Sequence, residues 1–153
     1  MNAKKHFSRL YTYNAWANEM LYSYLRDATY QNQKINELFS HITVAQIIWH
    51  HRVTGQEKPK WRLFDTIPTH LLLELNQKSN EAWQELVLNT SKSDFKEEIS
   101  YVDTIGESHQ TVLRDIMTHV ANHGTHHRGQ MVGWLRAEDI APPALDYRYF
   151  TRA

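Results

Sequence analysis

The sequence predicts an all-α fold, a four-helix bundle with a small hairpin or extended excursion before the last helix. Three observations predict it. Apolar residues recur at intervals of three to five along four long segments, glycine and proline fall between those segments, and only the stretch 95–112 carries short β-tolerant runs. At 153 residues the chain fits one domain, spanning 1–153, and can bury a core without covalent staples.

Helix one is expected from Phe7 to Leu25, where Leu10, Tyr11, Ala15, Trp16, Met20, Leu21 and Leu25 share an apolar face. Asn32 or Gln33 opens helix two. Its stripe of Ile35, Leu38, Phe39, Ile42, Ala45, Ile48, Trp49 and Val53 stops at Gly55. Gly55, Pro59 and Pro68 make the next stretch a loop, with Pro68 suited to the first turn of helix three, which runs from about Thr69 to Leu88. The runs ISYVDT and SHQTV, separated by Ile105-Gly106-Glu107, suit a small hairpin. Helix four extends from near Thr111 to about Ala137, with Leu113, Ile116, Met117, Val120, Met131, Trp134 and Leu135 on its apolar side. Pro142-Pro143 ends helical structure, and Leu145, Tyr147, Tyr149 and Phe150 give the tail apolar surface to pack back. Trp16, Trp49, Trp83 and Trp134 fall at helical spacing and read as core. Gly124 and Gly129, costly inside a helix, are expected to permit close helix approach or a bend.

Composition narrows the function. Seventeen Lys plus Arg balance seventeen Asp plus Glu, so no basic excess points to nucleic acid or an anionic membrane. No segment reaches the roughly 18 apolar residues of a span, and the N-terminus has no signal-like apolar run. A soluble, cytoplasmic protein without nucleic-acid or membrane partners is expected. There is no cysteine, which removes a disulfide framework and a thiolate zinc site, so a transition metal would have to take nitrogen and oxygen ligands. No GxGxxG, P-loop, HExxH or GxSxG motif is present.

Histidine is the outlier, with ten in the chain and four of them between His119 and His127. His119, His123 and His127 follow one another at spacings of four, which on a helix keeps side chains on one face about 6 Å apart. With His119 at zero and about 100° per residue, His123 lies near 40°, His127 near 80° and His126 near −20°, while Ile116, Val120, Met131 and Trp134 centre near 85°. His123 and His127 therefore face the core, and His119 and His126 lie toward its edge. A core-facing pair inside a bundle takes further ligands from a facing helix. His41 qualifies, in register with Leu38, Ala45 and Ile48, whereas His50 lies about 180° around from it and His51 is also off that face. A solvated polar face would also gather histidines, and a single core histidine is more often hydrogen-bonded than metal-bound. It is the agreement of two core-facing elements that selects His41, His123 and His127 as ligands of one divalent ion. His119 is assigned to the lining of the site or to a proton shuttle.

These residues carry a resemblance. YNAWANEML in helix one, FSHITVAQIIWHHRVTG in helix two, HVANHGTHHRGQMVGWLR in helix four and the LDYRYF tail resemble the DinB-like family of helical metalloproteins, which is unrelated to the translesion polymerase. The phrase NHxxxHRGQ is its most specific part. The resemblance implies an up-and-down four-helix bundle with a long connection, one divalent ion held by a histidine of the second helix and two of the last, and often a homodimer. Carried over by position, the ligands are again His41, His123 and His127. It also implies relatives that are thiol-dependent transferases, metal-dependent hydrolases or maleylpyruvate-isomerase-like proteins.

Three neutral imidazoles leave a zinc-like ion at least one open position, as in catalytic rather than closed structural sites. Such an ion can acidify water for hydrolysis or a thiol for transfer. Asp115, Gln46, Gln130, Asp146, Tyr147 and Tyr149 offer no convincing general base, which favours thiol or ligand activation. The expectation is a metal-dependent enzyme acting on a small-molecule substrate by thiol transfer or hydrolysis. Its rival is a non-catalytic metal-binding or stress-related ligand-binding protein. Zinc is placed first, with nickel or another transition metal next, because an all-imidazole site accepts several.

Overall fold

The computed structural model describes residues 2–27 and 32–152. Four long helices dominate it: α1 (Ala3–Asp27), α2 (Gln33–Thr54), α3 (Thr69–Asn89) and α4 (Leu113–Ala137), with strands β1 (Glu98–Val102) and β2 (Ser108–Val112) before α4 and a short α5 (Tyr147–Phe150) after it. Helix α1 begins a turn earlier than its apolar stripe, with the Asn2 side chain accepting from the Lys4 backbone N–H at 3.0 Å. The Leu25 side chain, assigned to that stripe, lies outside the described part of the chain. Asn32 caps α2 by accepting from the Ile35 N–H, and Gly55 ends it in the left-handed conformation that a residue without Cβ adopts at little cost.

The hairpin is an antiparallel pair, Glu98 opposite Val112 through Val102 opposite Ser108. It moves the start of α4 from the expected Thr111 to Leu113, because Thr111 and Val112 are committed to β2.

Helix α1 packs on α3 and α4, and α2 packs on the same two. Cross-helix contacts fix their directions. Tyr22 meets Phe39 while Asn14 meets Gln46, so α1 and α2 are antiparallel. Between α2 and α3 the partners rise together: Thr43 with Asn76, Gln46 with Asn80 and His50 with Trp83. Helices α2 and α3 therefore run the same way, which corrects the strict up-and-down alternation. The physical reason lies in residues 55–68. Fully extended, that stretch reaches at most about 46–50 Å, more than the roughly 33 Å length of α2, so the chain can return to the start of α2 before α3 begins. Ile67 is held there by its N–H on the Ser40 hydroxyl.

Two apolar cores result. One gathers Leu21, Phe39, Ile42, Leu72, Met131 and Leu135; the other gathers Phe7, Tyr11, Trp83, Val87, Ile116, Met117 and Val120. Between them each helix contributes buried polar or small residues: Asn14 and Asn18, Gln46, Ser79 and Asn80, Gly124 and Arg128. Trp83 is fully buried as expected, but Met20 and Trp134 are exposed, since the apolar stripes of α1 and α4 are wider than the faces they bury. Trp16 and Trp49 are only half-buried. The tail does pack back: the Tyr13 hydroxyl donates to the Leu145 carbonyl, and Tyr147 and Phe150 lie against the Tyr13 ring. Among the described residues no helix is long and apolar enough to cross a membrane.

Candidate metal centre

Antiparallel packing of α2 on α4 brings His41 opposite His123 and His127. The His41 Nε2 lies 3.1 Å from the His123 Nε2, and the His127 Nε2 lies 3.0 Å from the same atom. One ligand atom from each of the three falls within 4.8 Å of the others, and all three rings are half-buried. The trio selected by helical phase is thus one cluster, able to hold a metal ion.

Two of the rings are oriented from behind. The His41 Nδ1 donates to the Leu63 carbonyl at 3.1 Å, and the His127 Nδ1 donates to the Gln130 amide oxygen at 2.7 Å. A carbonyl can only accept, so each Nδ1 carries the proton and each Nε2 turns a lone pair inward. Both lone pairs converge on one nitrogen of His123, which has at most one proton to share between them. A cation resolves that conflict. Around an ion with bonds of 2.0–2.1 Å at tetrahedral angles, neighbouring nitrogens stand about 3.3 Å apart, so the two separations at His123 need to open by only a few tenths of an ångström. The donor set fits a divalent transition metal.

Electrostatics keep the donors available. Burial, with the neighbouring imidazoles of His127 and His41, pushes His123 down to about 3. Burial also lowers His127, with the Gln130 contact acting the other way. Neutral imidazole is the form that ligates.

The edge assignments hold as well. His119 is exposed along one side, its ring 5.7 Å from that of His123 and 5.4 Å from that of Trp49, and partial burial lowers its pKa. His126 is exposed. His50 packs on Trp83 and His51 bonds the Glu57 carbonyl, both away from the cluster. Of the residues weighed as bases, Gln130 turns out to orient His127, Tyr147 accepts from Arg9, and Asp146 caps α5.

Sequence reasoning missed the support. Leu63 and Phe64 come from the 55–68 connection; the carbonyl of one orients His41, and the ring of the other stacks on it at 5.2 Å. Beside His127, Arg128 is 2% exposed, its Nη1 donating to the Asn14 and Asn18 side-chain oxygens at 2.8 and 2.7 Å and its Nη2 to the Thr125 hydroxyl. Its Nε has no partner among the described residues. One signal was present: on the wheel used above Arg128 falls near 180°, beside Met117 and Leu135 near 160°. Gly124 makes room for it, since a Cβ there would sit 2.8 Å from the Asn14 oxygen and 2.9 Å from the Arg128 Nη1. Gly129 faces open space, so the expectation of close approach there is not met.

Comparisons with known proteins bear on the family and the fold. The curated Protein DinB of Bacillus subtilis (strain 168) is 24% identical over 159 residues, covering 91% of this chain and 90% of that protein. The crystal structure of a DinB-like protein from Bacillus cereus ATCC 10987 superposes with a TM-score of 0.66 at 18% identity, covering 92% of this chain and 95% of that one, which shows a shared fold. The DinB family matches residues 1–153 from end to end, and the chain belongs to that family.

Proposed function

We propose that this chain is a metal-dependent enzyme acting on a small molecule, by thiol transfer or hydrolysis, with one divalent ion held by His41, His123 and His127. The observation that carries the proposal is the convergence of three Nε2 atoms from two helices, two of them with their far nitrogens anchored on carbonyl oxygens. Zinc is the first candidate and nickel the second, since imidazole donors suit both. When bound, the ion supplies Lewis acidity, and with three protein donors it keeps room for a substrate. His41 and His127 hold their rings in one tautomer, and Phe64 covers the outer face of His41. His119, next to His123 at the rim, is the group placed to relay a proton. The four long helices are proposed to form a bundle that is one domain, working in the cytoplasm as a homodimer.

The test begins with elemental analysis of protein purified without a histidine tag. One ion per chain is expected, and His41→Ala, His123→Ala or His127→Ala should each lower that stoichiometry and abolish the rise in thermal midpoint on adding zinc. Unchanged stoichiometry and midpoint in all three would overturn the site. Activity is then sought with thiols plus electrophiles and with ester and amide substrates. His119→Ala is expected to keep the ion and lose rate, and an unchanged rate removes the relay role.

A further inference from the structure

The end of α2, the 55–65 segment and the hairpin enclose a cleft of about 850 Å³, a volume typical of small-molecule sites. Its wall carries Arg52 and Lys58, and its apolar lining comes from Ile48, Trp61, Phe64 and Tyr101. Phe64 is 82% exposed, a large aromatic left in solvent at the rim.

Arg52 is the unusual group. Its guanidinium lies 4.7 Å from the centre of the Trp49 ring and 5.1 Å from that of Tyr101, which fixes its position between two faces. The last turn of α2 also favours a cation there. Neither arrangement uses the five N–H donors of the side chain. No hydrogen bond or ion pair occupies them among the described residues; Asp103 attracts the cation only through space, and both carboxylates of the cleft are hydrogen-bonded to other groups. Asp103 accepts from His109 through one oxygen and from the Ile105 and Glu107 N–H groups through the other. Asp65 accepts from the backbone and side chain of Arg62. The cleft thus holds a positioned planar cation with free donors beside apolar surface. That combination recognises a carboxylate attached to an apolar body.

We propose that this cleft binds a small organic carboxylate, its charged group on Arg52 and its aromatic or aliphatic body against Ile48, Trp61, Phe64 and Tyr101. The proposal goes beyond the metal reading and does not rest on it, because none of these contacts uses an ion. The two sites share a wall: Leu63 and Phe64 line the cleft and also hold His41.

The experiment is calorimetric titration of the full chain, both chelator-stripped and zinc-loaded, with 3-phenylpropionate and with its neutral counterpart 3-phenylpropanamide. The acid is expected to bind at least about tenfold more tightly than the amide in both forms, because the charge-assisted pair is lost with the amide. Arg52→Gln should bring the ratio close to one while leaving amide affinity within about twofold. Arg52→Lys, which keeps charge but loses the paired donors, should weaken acid binding at least about threefold. Absence of binding, equal binding of acid and amide, or a ratio unmoved by Arg52→Gln overturns the proposal. Acid binding seen only in the zinc-loaded form and indifferent to Arg52 assigns the carboxylate to the ion, and overturns it too. If circular dichroism shows Arg52→Gln unfolded, the wild-type ratio and Arg52→Lys decide, and failure of either overturns it. Failure of the metal reading would show instead as absent zinc binding, with the stripped-protein result intact.

Discussion

His123 stays neutral at pH values where an unfolded chain's histidines, with pKa near 6.5, take up protons. Its folded value of about 3 means that, between pH 6.5 and about 3, the unfolded state binds a proton that the folded state does not. Stability of the metal-stripped protein is therefore fully present above about pH 6.5 and falls as the solution is acidified through that window. Burial lowers His119 and His127 as well, and their contribution has the same sign. Urea titrations from pH 7 to pH 4 are expected to show a shallower loss in His123→Gln than in wild type, and equal slopes would contradict the environment described for this ring. Protons compete with metal for the same lone pairs, but at His123 that competition sets in only as the pH approaches about 3, so zinc binding to the folded protein should lose little through this ring in the window where stability falls. The Gln130 contact makes a separate prediction. Gln130 is exposed and fixes the tautomer of His127, so Gln130→Leu should weaken zinc binding about 10–100-fold with little change in stability. Competition titration against a chromogenic chelator measures the first effect and thermal unfolding the second.

Along α4 two glycines meet opposite surroundings, and alanine should sort them. At Gly124 a Cβ would press on the Asn14 oxygen and Arg128 Nη1, both locked in buried hydrogen bonds. The strain of overpacking, about 1–3 kcal/mol, outweighs the gain of at most about 1 kcal/mol from a better helix former. At Gly129 nothing lies within 4 Å, so only the gain operates. Gly124→Ala is expected to lower the urea midpoint and Gly129→Ala to raise it, and a shared sign would refute one of the two environments. The contrast shows what the sequence could convey. Helices were legible because a buried stripe imposes a period, and their ends at Asn32 and Gly55 because capping imposes residue types. The clustering of His41, His123 and His127 was legible by the same arithmetic of phase. Period carries no direction, so the parallel course of α2 and α3 was not written in the stripes. Backbone carbonyls carry no residue signature either, which is why Leu63 behind His41 went unseen, and why Gly124 and Gly129 looked alike until their neighbours were known.

Across the whole molecule the polar layer between the two apolar cores links all four long helices, and Gln46 is its hub. Its Oε1 accepts from Asn14 at 2.6 Å, its Nε2 donates to Asn80 and Ser79 of α3, and its carbonyl takes the Trp83 indole N–H. Arg128 closes the circuit from α4 through Asn14 and Asn18. Apolar surfaces slide past one another at small cost, whereas a buried donor that loses its acceptor costs about 1–3 kcal/mol, so this layer is what fixes the relative heights of the helices. Height matters at the cluster because His41 lies five residues before Gln46 on α2, and His127 directly precedes Arg128 on α4. Gln46→Leu strands Asn14, Ser79 and Asn80 together and should cost about 2–4 kcal/mol. It should also weaken zinc binding, because His41 is no longer held level with His123. Ile116→Val, in the core away from that layer, supplies the comparison: about 0.5–1.5 kcal/mol of stability with unchanged zinc affinity. Chemical denaturation and chelator competition on both variants separate register from general loosening. If Gln46→Leu loses stability yet binds zinc as wild type does, the layer holds the fold together without setting the geometry of the histidines.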